Sequence, residues 1–241
     1  MKTAAEKVRR IRKPKVRGSN LRSDERINVF IHSLDDGNPP FLDEIEAEAL
    51  QCGVPIIRKS TQGLLKFLLK TRKPGNILEI GTATGFSALL MAEYAPGAHI
   101  TTIEKYEKRI PVAEANFKRG NVEERITFIT EDAAAVLPGL NPGYDFIFMD
   151  AAKAQYPVFL PELLRLLTPG GMLVSDNVLQ EGDILESRYA VTRRDRTIHA
   201  RMREFLYEIT HNPMLDTIIL PTGDGVSLSV KKEEDQTCEE A

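Results

Sequence analysis

Two short stretches hold residue types that can do chemistry together. Asp150-Ala151-Ala152-Lys153 sets a carboxylate three residues before an amine, and Ser175-Asp176-Asn177 adds a second carboxylate and a side-chain amide. Asp150, Asp176 and Asn177 offer three oxygen donors with no His or Cys among them. Such a set suits a hard cation whose shell is completed by water. Mg²⁺ is the expected ion, with Mn²⁺ or Ca²⁺ as substitutes. An Asp-Asn pair alone is also ordinary turn chemistry; its pairing with Asp150 is what points to a metal. Lys153 can face the same pocket as Asp150. Beside a cofactor cation and a metal its pKa should fall, which would make it a catalytic base. A surface lysine at a helix start would look the same in sequence.

A second signal is Glu79-Ile80-Gly81-Thr82-Ala83-Thr84-Gly85-Phe86-Ser87. This is a glycine-containing turn between an apolar run and a helical pattern, where a ligand can approach the backbone. It is not the dinucleotide fingerprint, because the two glycines stand four apart and no third follows. Glu104 lies 23 residues after Gly81, a distance that suits a carboxylate accepting the hydroxyls of a ribose. Glu131-Asp132-Ala133 then offers an acid and a backbone amide that could read an adenine edge.

These groups need elements to bring them together. Short apolar runs at 76–80, 100–104, 126–130, 144–150 and 172–175 read as strands. Helical patterns at 86–94, 108–119, 133–137 and 159–167 separate them. Helices are also expected at 24–34, 41–52, 56–70 and 194–210. Thr168-Pro169-Gly170-Gly171 reads as a helix stop. Strands alternating with helices imply parallel pairing in an α/β, Rossmann-like, doubly wound sheet. The last two strands, 217–220 and 226–230, are joined only by Pro221-Thr222-Gly223-Asp224-Gly225, so they must pair antiparallel. The expectation is a mostly parallel seven-stranded sheet with an antiparallel strand near its C-terminal edge. All the candidate groups then fall at strand C-terminal ends, where open α/β sheets bind ligands.

Composition excludes several classes. The two cysteines, Cys52 and Cys238, are too few and too far apart for a disulfide framework or a Cys-based zinc site. No apolar run reaches the ~18 residues needed to span a bilayer. The basic start has no apolar segment behind it, so a cytoplasmic protein without membrane partners is expected. Net charge is −3, yet residues 1–26 carry +7 and the remainder −10. The organisation expected is a basic arm at 1–23, one domain at 24–232 and a polar tail at 233–241. The arm could hold a polyanion, although it offers no aromatic residue to stack on bases.

The E-I-G-x-x-x-G turn, the acid at Glu104 and the Asp132-Ala133 step together resemble class I methyltransferases that use S-adenosylmethionine. A nucleotide-sugar or NAD site is the rival reading. Residues 77–87, 102–104, 148–153 and 175–178 narrow the resemblance to cation-dependent O-methyltransferases of the catechol and caffeoyl-CoA type, over about residues 24–232. Within that family the chain looks most like the bacterial branch that methylates 5-hydroxyuridine at the tRNA wobble position. The stretches carrying this are Val54-Pro55-Ile56-Ile57, 149–156, 175–179 and Pro221-Thr222-Gly223-Asp224-Gly225. The resemblance implies that Ile57, Ser87, Glu104, Asp132, Ala133 and Asp150 contact the cofactor, and Glu79 and Gly81 of the glycine-containing turn are expected to bind it as well. It also implies metal ligation by Asp150, Asp176 and Asn177, and a homodimer.

A catechol presents two neighbouring oxygens to a metal, and 5-hydroxyuracil does so through its 5-hydroxyl and 4-oxo groups. Fold and metal alone therefore do not separate the two substrates. Residues 188–203 bear on the choice. They contain Arg188, Arg193, Arg194, Arg196, Arg201 and Arg203, with Tyr189 and His199 interleaved and Asp195 the only acid. Such a patch beside the site suits phosphates and an unstacked anticodon base. The reading is metal-assisted O-methylation of 5-hydroxyuridine in a tRNA anticodon loop, with Arg188, Arg193, Arg194 and Arg196 toward the RNA. A small catechol or phenolic acyl-CoA enzyme and a non-catalytic RNA-binding protein are the alternatives.

Overall fold

A computed structural model describes residues 21–187 and 189–233. The expected basic arm therefore lies largely, and the polar tail almost wholly, outside the described residues. The chain divides into two units at Asp36–Gly37. The first contains helix α1 (Leu21–His32), whose Ile27, Phe30 and Ile31 recur at helical spacing.

The second unit begins with α2 (Pro40–Gln51) and α3 (Lys59–Arg72), then alternates strand and helix. The order is β1 (Asn76–Ile80), α4 (Phe86–Tyr94), β2 (His99–Ile103), α5 (Ile110–Arg119), β3 (Ile126–Ile129), α6 (Ala133–Val136) and β4 (Tyr144–Met149). It continues through α7 (Tyr156–Leu166), β5 (Leu167–Ser175), α8 (Arg196–His211), β6 (Leu215–Leu220) and β7 (Val226–Lys231). The seven strands lie in the order β3-β2-β1-β4-β5-β7-β6. The first five pair in parallel, and β7 runs antiparallel between β5 and β6. This is the expected architecture.

The central strands are buried on both faces, which explains their near-continuous apolar runs. Ile77, Phe146 and Phe148 join the core shared with α2, α3, α4 and α5. Leu78, Ile80, Ile147 and Met149 join the core shared with α7 and α8. The period of two along β1 therefore puts Glu79 on the face of Ile77. On the other face, Tyr156 of α7 meets Phe205 of α8 edge to face with centroids 5.2 Å apart, a favoured aromatic geometry.

Boundaries differ where tertiary contacts override local signals. Thr168-Pro169-Gly170-Gly171 does not end a helix before a separate strand; it is absorbed into β5 as an irregularity opposite Tyr144–Phe146. Gly170 takes φ 72°, and a Cβ on Gly171 would come within 2.7 Å of Leu167, so the bulge depends on these two glycines. Helix α7 starts at Tyr156 rather than 159, with Pro157 in its first turn, where the missing N–H costs nothing.

Candidate active site

The strand order changes direction between β1 and β4, and a cleft of about 650 Å³ opens there, outside the C-terminal ends of the strands. Ile57, Gly81, Ser87, Glu104, Asp132, Ala133, Asp150, Lys153 and Asn177 all line it. The sequence-based site is thus largely assembled in one place.

The loop after β1 is shaped for close approach. Gly81 has φ 103°, and a Cβ there would sit 2.1 Å from the backbone oxygen of Asp150. No side chain fits, so β1 and β4 can bring their ends together only at glycine. Gly85 opens α4 with φ 86°. Ala83 between them also holds left-handed backbone, φ 48°, which costs a non-glycine residue about 1 kcal/mol. Its amide donates to Glu104 Oε2 at 2.9 Å. Glu104 Oε1 accepts from the amides of Lys105 and Tyr106 at 2.9 and 2.8 Å. Three backbone donors fix this carboxylate at the rim of the cleft and leave acceptor capacity on Oε2. Asp132 caps α6 by accepting from the Ala134 amide at 3.0 Å. Its other oxygen takes Lys105 Nζ at 2.8 Å. The Lys105 bond and then the Ala134 amide hold the Asp132 carboxyl below its usual range.

Glu79 does not line the cleft. It is fully buried behind the loop, so its expected contact with a cofactor is corrected to a supporting position. Thr102 Oγ1 donates to its Oε2, and Thr102 in turn pairs with Thr82 Oγ1 of the loop. Oε1 has no hydrogen-bond partner among the described residues. Burial pushes the Glu79 carboxyl up to about 7; the hydroxyls of Ser87 and Thr102 offset part of this, while the charges of Asp150 and Glu104 add to it. Ser87 lies close without closing a bond onto Oε1.

The acidic constellation is centred on Lys153. Its ammonium donates to Asp150 Oδ1 at 2.8 Å, Asn177 Oδ1 at 3.0 Å and the Tyr156 hydroxyl at 3.0 Å. The Tyr156 hydroxyl in turn faces the carbonyls of Met149 and Asp176 at 3.1 and 2.9 Å. The expected fall in the Lys153 pKa is tied to a metal and a cofactor cation beside it, and the protein's own groups act the other way. Burial does act downward, but the Tyr156 hydroxyl and the Asp150 carboxylate outweigh it and raise the pKa. Lys153 is an ammonium in this arrangement. Asp176 is buried beneath the cleft wall. It accepts from the Asn177 amide at 2.8 Å, with Thr61 Oγ1 at 3.5 Å. Burial, then the nearby Asp150 charge, pushes its carboxyl up to about 6. Asn177 takes φ 55°, the left-handed conformation that asparagine tolerates better than most residues.

Among the described residues no three His, Cys, Asp or Glu side chains gather as a metal group. A cation would therefore rest on two carboxylates and an amide. The donors do fit one: Asp150 and Asn177 direct oxygens at a single positive charge, and the buried Asp176 carboxylate follows directly before Asn177. All are hard oxygen ligands.

Some expectations fell elsewhere. Arg188 lies outside the described residues. Arg193, Arg194 and Arg196 do not line the cleft. Arg193 and Arg194 are exposed, and Arg196 packs over the exposed Tyr189 ring at 5.8 Å. Arg201 and Arg203 are tied to the carbonyls of Ala154 and Ile184, so they anchor α8. The cleft's basic wall comes instead from Arg58, Lys105 and Arg109. Sequence reasoning also missed Asp224, which lines the cleft, and Thr61. Asp224's only sequence signal was its place in the Pro221–Gly225 turn.

Fold and cleft define a doubly wound α/β protein with a ligand site at its topological switch point and an acidic, lysine-bearing end. Residues 32–232 match the pattern of the family described as O-methyltransferase, and the chain belongs to that family. It is 30% identical over 200 residues to a catechol O-methyltransferase of Mycobacterium tuberculosis, covering 81% of this chain and 88% of that one. A caffeoyl-CoA O-methyltransferase of Stellaria longipes is 32% identical over 174 residues, covering 68% and 71%. The SAH-bound structure of a Podospora anserina methyltransferase superposes with a TM-score of 0.80 at 26% identity, covering 92% and 100%.

Proposed function

We propose that this protein transfers the methyl group of S-adenosylmethionine to one of two neighbouring oxygens on an acceptor ring, with a divalent cation held by Asp150, Asp176 and Asn177. The convergence of Asp150 Oδ1 and Asn177 Oδ1 on one positive charge, next to the Gly81–Gly85 loop, carries this reading. SAH in a similar structure and catechol and caffeoyl-CoA in the relatives' names support it.

The chain's own residues divide the work. The loop from Gly81 lets a cofactor approach the backbone, and Glu104 is placed to accept from a ribose hydroxyl. Ile57, Ser87, Ala133 and Asp132 line the cleft, and Asp132 would meet the cofactor's adenine. A bound Mg²⁺, or Mn²⁺ or Ca²⁺ in its place, would supply Lewis acidity that eases ionisation of the acceptor hydroxyl. Beside a bound cation and cofactor, Lys153 would take the acceptor's proton or hold the negative charge left on its oxygen. Alignment of oxygen and methyl then supplies much of the rate.

For the acceptor we propose 5-hydroxyuridine at the tRNA wobble position. The exposed Arg193 and Arg194, with Arg196 over the exposed Tyr189 ring, favour an RNA partner. A small catechol or phenolic acyl-CoA is the second reading, favoured by the relatives' names and by the absence of these arginines from the cleft wall. A homodimer through the helices before β1 belongs to the same proposal and is checked by light scattering. The deciding experiment is nucleoside mass spectrometry on tRNA carrying 5-hydroxyuridine, with S-adenosylmethionine and either Mg²⁺ or chelator. Parallel reactions contain a catechol or caffeoyl-CoA. Metal-dependent 5-methoxyuridine is expected; faster turnover of the small phenols assigns the second reading, and no product from any acceptor refutes the activity.

A further inference from the structure

The Lys153 ammonium makes three hydrogen bonds, and two of its acceptors are oxygens assigned to a metal, Asp150 Oδ1 at 2.8 Å and Asn177 Oδ1 at 3.0 Å. All three ammonium hydrogens are used, the third on the Tyr156 hydroxyl. Tyr156 is fully buried and braced by the carbonyls of Met149 and Asp176, at the ends of β4 and β5. The ammonium is therefore tethered between the two strand ends that carry the acidic groups. Without it, Asp150 would face Asp176 with no charge between them, in a partly buried setting where like charges repel strongly.

We propose that Lys153 is an internal counter-cation that keeps Asp150 and Asn177 assembled before a divalent ion binds, and that it competes with that ion for their oxygens. This rests on the metal reading given above. Its consequence is a coupling. A divalent ion taking Asp150 and Asn177 withdraws acceptors from the ammonium, and the freed N–H donors become available to an acceptor oxygen. The tether to Tyr156 keeps the amine at the site. Loading the cation and readying Lys153 for the acceptor are then one event. The chain's sequence suits this arrangement: Lys153 and Tyr156 both follow Asp150 within six residues, on the turn that opens α7.

The test is Mn²⁺ binding to the full-length protein by calorimetry, with thermal unfolding with and without saturating Mn²⁺. Wild type is compared with Lys153→Met, and with Lys153→Gln should the first fold poorly. Asp176→Asn locates the site, since binding there should be lost. Competition predicts Mn²⁺ affinity tighter by roughly tenfold in Lys153→Met. It also predicts a lower melting temperature than wild type without metal and convergence of the two when Mn²⁺ saturates. Convergence separates a counter-cation from a distant positive charge, whose loss would not lower the metal-free melting temperature. Equal Mn²⁺ affinity in wild type and Lys153→Met would overturn the proposal and leave the metal reading standing. No Mn²⁺ binding to either protein would overturn the metal reading itself, and this proposal with it.

Discussion

Replacing Glu79 by glutamine should change how stability depends on pH. Glu79 is fully buried, and its carboxyl is raised from the usual 4.5 to about 7. Between those values the folded protein holds a proton that the unfolded chain has released. Stability must therefore fall as pH rises through that window, by about 1.4 kcal/mol per pH unit. The whole interval amounts to roughly 3 kcal/mol, gone once the pH exceeds 7. Glutamine keeps the shape, carries no charge and retains an oxygen for the Thr102 hydroxyl. Urea unfolding of both proteins from pH 4.5 to 8.5 isolates the effect, because every other titrating group, Asp176 included, is common to both. The difference curve should be flat at the acid end, slope in favour of Glu79→Gln between pH 5 and 7, and level off above. Parallel curves across the range would refute the reasoning, since Glu79 would then ionise as easily folded as unfolded.

Other expectations concern the cleft. Gly81→Ala places a methyl 2.1 Å from the Asp150 carbonyl oxygen; a loss of about 3 kcal/mol in thermal unfolding is expected, with S-adenosylmethionine binding by calorimetry weakened alongside. Asp176→Ala or Asn177→Ala should cut turnover by at least ~100-fold while cofactor affinity persists, whereas Asp150→Ala should damage both; normal turnover of Asp176→Ala with chelator present would exclude the metal. Arg193→Ala and Arg194→Ala should each weaken tRNA binding and reduce its salt slope by about one, with small-catechol turnover unchanged.

The sheet was legible because its strands are short and the central ones, β1 and β4, are near-continuous apolar runs stopped by Gly81 and Asp150. The groups at their ends inherit a common location from parallel pairing alone, which is why Gly81, Glu104, Asp132 and Asp150 fall together. What escaped was whatever depends on a partner far along the chain. Glu79 belongs to the same motif as Gly81, yet it lies inside β1, before the strand end opens, and is fully buried. The balance at Lys153 is set by its burial against Tyr156 and Asp150 acting jointly, and the sequence gives no sign of the part played by Tyr156. Thr61 meets Asp176 across 115 positions, and no local pattern announces that. The arginines of 188–203 looked uniform in sequence, but Arg201 and Arg203 meet backbone carbonyls while Arg193 and Arg194 face solvent.

The placement of β7 between β5 and β6 has a bearing on when the site comes into being. Val178 and Leu179, next to Asn177, donate their amides to Gly225 and Asp224 at 2.9 Å. A Cβ on Gly225 would strike Leu179 at 2.3 Å, and one on Gly223 would strike Thr61 at 2.7 Å. The segment bearing Asp176 and Asn177 is thus seated by the hairpin made last. On the ribosome, every strand from β1 to β5 emerges before the residues that fix this segment, and β6 must wait for β7 to reach the sheet. The acidic end of the cleft is therefore complete only once the final strand has reached the sheet.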